Sequence, residues 1–309
     1  MNTRRVLKNI AKKILPQKVV QTLSPRTPMG ARRLGRLRML LEDSVPFDNK
    51  YRWLNYAFAR LVKNPGCKER PQYAWGVLQA AALAKVLAIP RISVIEFGVA
   101  GGFGLLALET IAEMVETMTN VGIDVFGFDT GSGLPRPRDV RDQPNFWVEG
   151  QLPMDRERLQ SQLKRASLRL GPVKATVPSF LSENPSPVGF VSFDLDLYSS
   201  TSDALALFQF NYEVLLPRVI SYFDDIHGYC YNDFCGERLA IREFNERNAQ
   251  RKISPIYGLR YFLPHATFFD LWPDGMHFAH FFEHPLYGVL EYTSKELFMP
   301  AEGGVLETP

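Results

Sequence analysis

The 309-residue chain has only three cysteines, Cys67, Cys230 and Cys235, an odd number with no CxxC spacing and no second Cys/His pair at zinc distance. That argues against a disulfide framework and a structural zinc site, and reads the three as buried thiols in a reducing, cytoplasmic setting. No run approaches the ~18 uninterrupted apolar residues of a membrane span, and the first residues do not resemble a secretory signal peptide, so no transmembrane anchor is expected. Acidic residues are absent from positions 1–41, which hold 11 of the 36 Lys and Arg. The remainder carries 25 basic against 33 acidic residues, a net −8 beneath an overall +3. A basic arm on an acidic body points to a separate use for the arm, on anionic lipid, nucleic acid or a partner surface. Internal repeats, low-complexity tracts and specific nucleic-acid motifs are also missing.

What is present is the composition of a globular protein, 46% hydrophobic and 22% charged. The length suits one elaborated domain over 46–309, with a core of about 75–272 behind an arm and linker at 1–45. In the arm, Val6, Leu7, Ile10, Ile14 and Leu15 recur at helical spacing among Arg4, Arg5, Lys8, Lys12 and Lys13. This predicts a short basic amphipathic helix ended by Pro16, suited to peripheral contact with an anionic membrane or to docking on its own domain. Residues 24–36, with Pro25, Pro28, Gly30 and Gly35 among arginines, read as a linker.

From Trp75 onward helix and strand alternate. Residues 75–88 read as a helix stopped by Pro90, and SVIEFGV at 93–99 as a buried strand ending in glycines. A helix at 103–117, a strand at 121–129 and a charged helix at 155–168 follow. VKATVP at 173–178 and GFVSFDLD at 189–196 continue as strands, then a helix at about 200–215 and a strand at 218–225. This pattern predicts an α/β fold, doubly wound, with a mainly parallel sheet covered on both faces by helices. A helix at about 236–249 precedes the aromatic segments YGLRYFL and ATFFDLW, which would add an antiparallel hairpin near the C-terminus. Aromatics beyond Tyr257 read as core, with an acceptor-pocket wall or a homo-oligomer face as the other uses.

In open α/β sheets ligands bind beyond the carboxyl ends of the strands. Four such ends here are acidic or glycine-rich. In EFGVAGGFG, Gly98, Gly101 and Gly102 permit a tight turn against a ligand, and Glu96 suits a cationic amino group better than a pyrophosphate. The spacing is not the GxGxxG dinucleotide fingerprint. Asp129 ends the second strand, 33 residues after Glu96, where a carboxylate accepts ribose hydroxyls. FDLDLYSST and FDDIHG bring Asp194, Asp196, Asp224 and Asp225 to the same edge, a costly crowd unless a cation such as Mg²⁺ compensates. Asp194 and Asp196 are read as pointing to opposite sides, so the metal set is Asp194, Asp224 and Asp225, with Asp196 a support or turn residue.

With these residues assembled, the chain resembles the metal-dependent sugar O-methyltransferases typified by macrocin O-methyltransferase, within the class I methyltransferases that use S-adenosylmethionine. The resemblance covers about residues 92–230, through EFGVAGG, FDTGSGLP, DLDLYSST and FDD. It implies a Rossmann-like methyltransferase fold, Glu96 and the glycines holding the methionine end of the cofactor, Asp129 its ribose, and Asp194, Asp224 and Asp225 a Mg²⁺ beside the acceptor. A Mg²⁺ there would lower the pKa of an acceptor hydroxyl on a sugar, glycan or other small molecule, and His227 has the pKa range of a general base. His277, His280 and His284 would share one face on a helix, but Pro285 and the surrounding aromatics favour a packed loop or strand. Two other readings stand beside this one: an NAD(P)-linked oxidoreductase, and a non-catalytic interaction protein on a degenerate methyltransferase fold.

Overall fold

A computed structural model of the protein describes residues 50–228, 230–263 and 270–289. The sequence-predicted arm helix, the linker at 24–36 and most of ATFFDLW lie outside the described residues. The chain divides into two compact units, residues 58–289 and a second made of 1–57 with 290–309. Of the second, only 50–57 are described, as the start of the helix Lys50–Leu61 (α1). No helix among the described residues is long and apolar enough to cross a membrane.

In the larger unit, α2 (Pro65–Lys68) and α3 (Pro71–Val86) precede β1 (Arg91–Phe97), α4 (Phe103–Thr119) and β2 (Gly122–Asp129). Then come α5 (Arg156–Gln162), β3 (Ser167–Leu170), α6 (Val173–Ser182), β4 (Val188–Phe193), α7 (Tyr198–Ala204) and β5 (Leu215–Phe223). Helix α8 (Gly236–Arg247), β6 (Arg251–Pro255), α9 (Trp272–Gly275) and β7 (Met276–Phe281) complete it. The strands form one sheet in the order β3-β2-β1-β4-β5-β7-β6. The first five are parallel, and β7 runs antiparallel between β5 and β6. This is the expected doubly wound, Rossmann-like α/β class with an antiparallel edge. The order reverses between β1 and β4, so their outgoing loops diverge and leave a crevice above the sheet.

The central strands carry no polar face. Every residue of β4 is buried and β1 is buried from Ile92 to Phe97, which is what helices on both sides of a parallel sheet require. Helix α3 is buried nearly all round, with 12 of its 16 residues enclosed, so it is a core helix and not an amphipathic cover.

Several local expectations are corrected. VKATVP is the start of α6, not a strand: Val173, Val177, Phe180 and Leu181 are its buried residues, a helical spacing that a six-residue window misses. The third strand is instead the short Ser167–Leu170, which begins on the last two residues of the helix expected over 155–168. The helix expected over 200–215 breaks after Ala204 into 3₁₀ turns, and Arg251 caps the end of the first by donating to the carbonyls of Phe208 and Phe210 at 2.7 and 2.6 Å. The antiparallel pair comes from RKISP and MHFAHF, whereas YGLRYFL holds a 3₁₀ turn. His277 and His280 lie three apart on β7, hence on opposite faces; each is spent locally, Nδ1 of His277 on Gly275 O and Nδ1 of His280 on the Tyr287 hydroxyl. His284 Nδ1 accepts from the Leu286 N–H. Cys67, Cys230 and Cys235 are free thiols, and burial pushes Cys67 up to about 11.

Candidate active site

Four neighbouring strands end on the same two-residue pattern, a phenylalanine followed by an acid or glycine: Phe128-Asp129, Phe97-Gly98, Phe193-Asp194 and Phe223-Asp224. The phenylalanines are in register, with successive ring centroids 5.0, 5.5 and 4.6 Å apart. Because side chains alternate across a strand, this aromatic layer beneath one face places the following residues together on the other. Amide donors Gly98, Asp194 and Asp224 extend the ladder to the carbonyls of Phe128, Phe97 and Phe193 at 2.9–3.0 Å. Gly98 is the exception in the acidic row for a steric reason: a Cβ there would stand 1.7 Å from the Asp194 carbonyl oxygen, and φ is +84°.

Above the crevice between β1 and β4 lies a cavity of about 370 Å³. Glu96, Gly98, Gly101, Gly102, Asp129 and Asp194 all line it, so the residues expected to hold a cofactor are brought together. Glu96 is 2% exposed. Its Oε1 accepts from the Tyr73 hydroxyl at 2.7 Å, and that hydroxyl accepts from Ser192 Oγ at 3.0 Å. Oε2 is buried with no hydrogen-bond partner among the described residues. Burial pushes the Glu96 carboxyl up to about 7, against the pull of the Tyr73 hydrogen bond and the Arg70 charge. The carboxyl is wedged under the first turn of α4, where a Cβ on Gly104 would overlap Oε1 at 1.8 Å.

Asp129 has a second duty that spacing did not reveal. Its Oδ2 accepts from the Val99 and Ala100 N–H groups, both at 2.9 Å, and Oδ1 from Gly131 N–H at 2.6 Å. The carboxylate thereby clamps the glycine turn to the end of β2. One acceptor position on Oδ1 is left for a ligand hydroxyl, since each carboxylate oxygen has two lone pairs.

On the other side of the crevice the expected metal triad is not assembled. Asp224 and Asp225 lie just past the end of β5, in the bend that follows it, and are used differently. Asp225, 5% exposed, commits both oxygens: Oδ2 accepts from Asp196 N–H at 2.8 Å and Oδ1 from the Tyr231 hydroxyl at 2.7 Å. Its own N–H donates to Glu237 Oε2 at 3.0 Å. Asp225 is therefore a brace for the loops after β4 and β5. Among the described residues no group of three or more His, Cys, Asp or Glu is placed to hold a metal ion. Asp224 accepts only at Oδ1, from the Tyr222 hydroxyl at 2.7 Å, and the Asp194 carboxyl has no hydrogen-bond partner among the described residues.

Asp194 and Asp196 are not on opposite sides. Both lie past the end of β4, where strand alternation no longer applies, and both line the cavity, with Asp196 held at φ +62°. Burial, then the charges of Asp224, Asp225 and Glu96, raises Asp194 well above the carboxylate range. Burial, then Asp225 and Asp224, pushes Asp196 up to about 8.

His227 is separated from this cavity. It lines a second one of about 740 Å³ with Arg238, Asp274 and His277, and burial lowers its pKa. The expected general base is thus not beside the expected cofactor residues. Arg70 and Tyr73, which the sequence analysis did not single out, are beside them. Both precede the first strand, and their spacing of three residues at the start of α3 is the signal that puts them on one helix face.

No protein-family model and no curated protein matches the chain. Among solved structures it is similar to the calicheamicin methyltransferase CalS11, at 23% identity over 82% of this chain and 93% of that one, with a TM-score of 0.48. It is also similar to an SAH-bound methyltransferase, PaMTH1, of Podospora anserina (12%, 82% and 97%, 0.37) and to an O-methyltransferase from Bacillus cereus in complex with SAH (15%, 69% and 85%, 0.32). Likeness at these identities and scores concerns the fold and leaves the chemistry to the residues of the site.

Proposed function

We propose that the protein is an S-adenosylmethionine-dependent methyltransferase acting on a hydroxyl of a sugar, glycan or other small-molecule acceptor. The observation that carries this reading is the unpartnered, buried Oε2 of Glu96 in a cavity at the switch point of the sheet. An ammonium group satisfies that oxygen, whereas the pyrophosphate of a nicotinamide dinucleotide would be repelled by it. The free acceptor position on Asp129 suits a ribose hydroxyl on the β2 side, which leaves Asp194 and Asp196 on the β4 side for the acceptor.

Transfer of a methyl group from a sulfonium is an in-line displacement, so the protein has two tasks: alignment of donor and acceptor, and removal of the hydroxyl proton. Asp194 and Asp196 serve the second, because burial and the neighbouring carboxylates Asp224 and Asp225 make each a stronger base than a solvated carboxylate. The sulfonium charge of the donor favours their ionised forms. A Mg²⁺ at this edge would be held by Asp194 and Asp224, with water and acceptor oxygens completing its shell, as Mg²⁺ commonly uses one or two carboxylates. It would supply Lewis acidity toward the acceptor hydroxyl.

The test is calorimetric titration with S-adenosylhomocysteine, on the wild-type protein and on Glu96→Ala and Asp129→Ala, with methyl transfer from labelled donor followed in parallel. Binding that both substitutions abolish supports the reading. A folded wild-type protein that binds no S-adenosylhomocysteine sinks it.

A further inference from the structure

Two cations line the cavity, Arg70 and Arg138. Arg138 is paired with Asp203 at 2.7 Å. Arg70 has no ion-pair partner among the described residues; it is half-buried, with its guanidinium 5.7 Å from the centroid of the Tyr73 ring. It is the N-cap residue of α3, at the positive end of a 16-residue helix, where a cation is disfavoured. Burial opposes its charge further, while Tyr73, Glu96, Asp194 and Asp224 support it from a distance.

An unpaired guanidinium is thus held, against helix dipole and desolvation, in the cavity that also contains the unpaired oxygen of Glu96. The two opposite charges feel each other at a distance but form no ion pair among the described residues: Glu96 accepts its one hydrogen bond from the Tyr73 hydroxyl. A ligand that satisfies both carries an ammonium and a carboxylate, as the amino-acid end of the proposed cofactor does. The guanidinium offers a planar fork of N–H donors matched to a carboxylate.

We propose that Arg70 receives the α-carboxylate of the cofactor's methionyl end while Glu96 receives its ammonium, making Arg70 the residue that distinguishes a complete amino acid from a bare amine. This rests on the methyltransferase reading above and adds a residue to its site.

The experiment measures affinities of wild type and Arg70→Gln for three ligands. These are S-adenosylhomocysteine, its decarboxylated analogue with an aminopropyl thioether, and 5′-methylthioadenosine, which lacks both charged groups. Wild type is expected to prefer S-adenosylhomocysteine over the decarboxylated analogue by about ten- to a hundred-fold, the range for a charge-assisted hydrogen-bonded pair. Arg70→Gln should bind these two equally, with affinity for 5′-methylthioadenosine unchanged, which shows that the site is intact. Should Arg70→Gln fail to fold, Arg70→Lys keeps the charge without the fork and should keep only part of the preference. Retention of the full wild-type preference by the folded variant overturns the assignment, as does a wild type indifferent to the carboxylate; both leave the cofactor reading standing. A folded wild type that binds none of the three ligands removes the assignment together with that reading.

Discussion

The raised pKa of Glu96 makes cofactor affinity depend on pH in a way that can be calculated. In the free protein the carboxyl is pushed up to about 7, chiefly by burial, and only its ionised form attracts an ammonium. At pH 6 about one Glu96 in eleven is ionised and at pH 8 about ten in eleven, so affinity for S-adenosylhomocysteine should be about tenfold weaker at pH 6, or about 1.4 kcal/mol. Binding ionises the protonated fraction, so it should release about half a proton at pH 7 and nearly a whole one at pH 6. Calorimetry in buffers of different ionisation enthalpy reads both quantities. Asp194 and Asp196 titrate nearby, so Glu96→Gln is the control that isolates the effect. The same substitution removes a stability effect of opposite direction. Between its ordinary value and about 7 the folded state holds a proton that the unfolded state has lost. The ligand-free protein should therefore lose stability as pH rises through that window. An undiminished tenfold dependence in Glu96→Gln would refute the reasoning.

The glycine turn offers a paired comparison. Gly98→Ala drives a Cβ into the Asp194 carbonyl at positive φ and should cost more than about 3 kcal/mol, seen as a large loss of Tm. Gly101→Ala meets only the Phe103 ring at 3.4 Å; it should leave Tm within the few degrees of about 1 kcal/mol and weaken S-adenosylhomocysteine binding instead. Asp225→Ala deprives the Asp196 amide and the Tyr231 hydroxyl of their acceptor and should destabilise by about 2 kcal/mol, measured by urea melting. Asp194→Asn should fold normally and lose methyl transfer, with any Mg²⁺ dependence of the rate. His227→Ala should leave kcat within about threefold of wild type, since 1.4 kcal/mol of lost catalysis would already be tenfold. A larger loss, with a basic limb missing from the pH profile, would restore His227 as the base.

The fold class and the strand-end acids of the candidate site were legible in the sequence because both rest on short-range patterns. Apolar runs of strand length, broken by glycine or acid and alternating with helical periodicity, specify a parallel sheet. The acids that finish those runs must then gather at one edge, so Glu96, Asp129, Asp194 and Asp224 could be named from their positions alone. Their individual tasks could not, because a task depends on what packs against each oxygen. The loops past β4 and β5, not strand alternation, set Asp224 apart from Asp225 and put Asp194 with Asp196 at the cavity. Only the folded chain brings the Asp196 amide and the Tyr231 hydroxyl to Asp225 and turns an expected ligand into a brace. Arg70 and Tyr73 lie outside every strand-end motif and reach Glu96 because α3 packs across the sheet, a contact spanning 23 residues at Tyr73. His227 sits in sequence beside the acids and in space beside a different cavity. The order of residues decided which chemical groups reach the edge of the sheet. Tertiary packing decided which of their lone pairs and charges stay free, and those free groups are what a ligand can use.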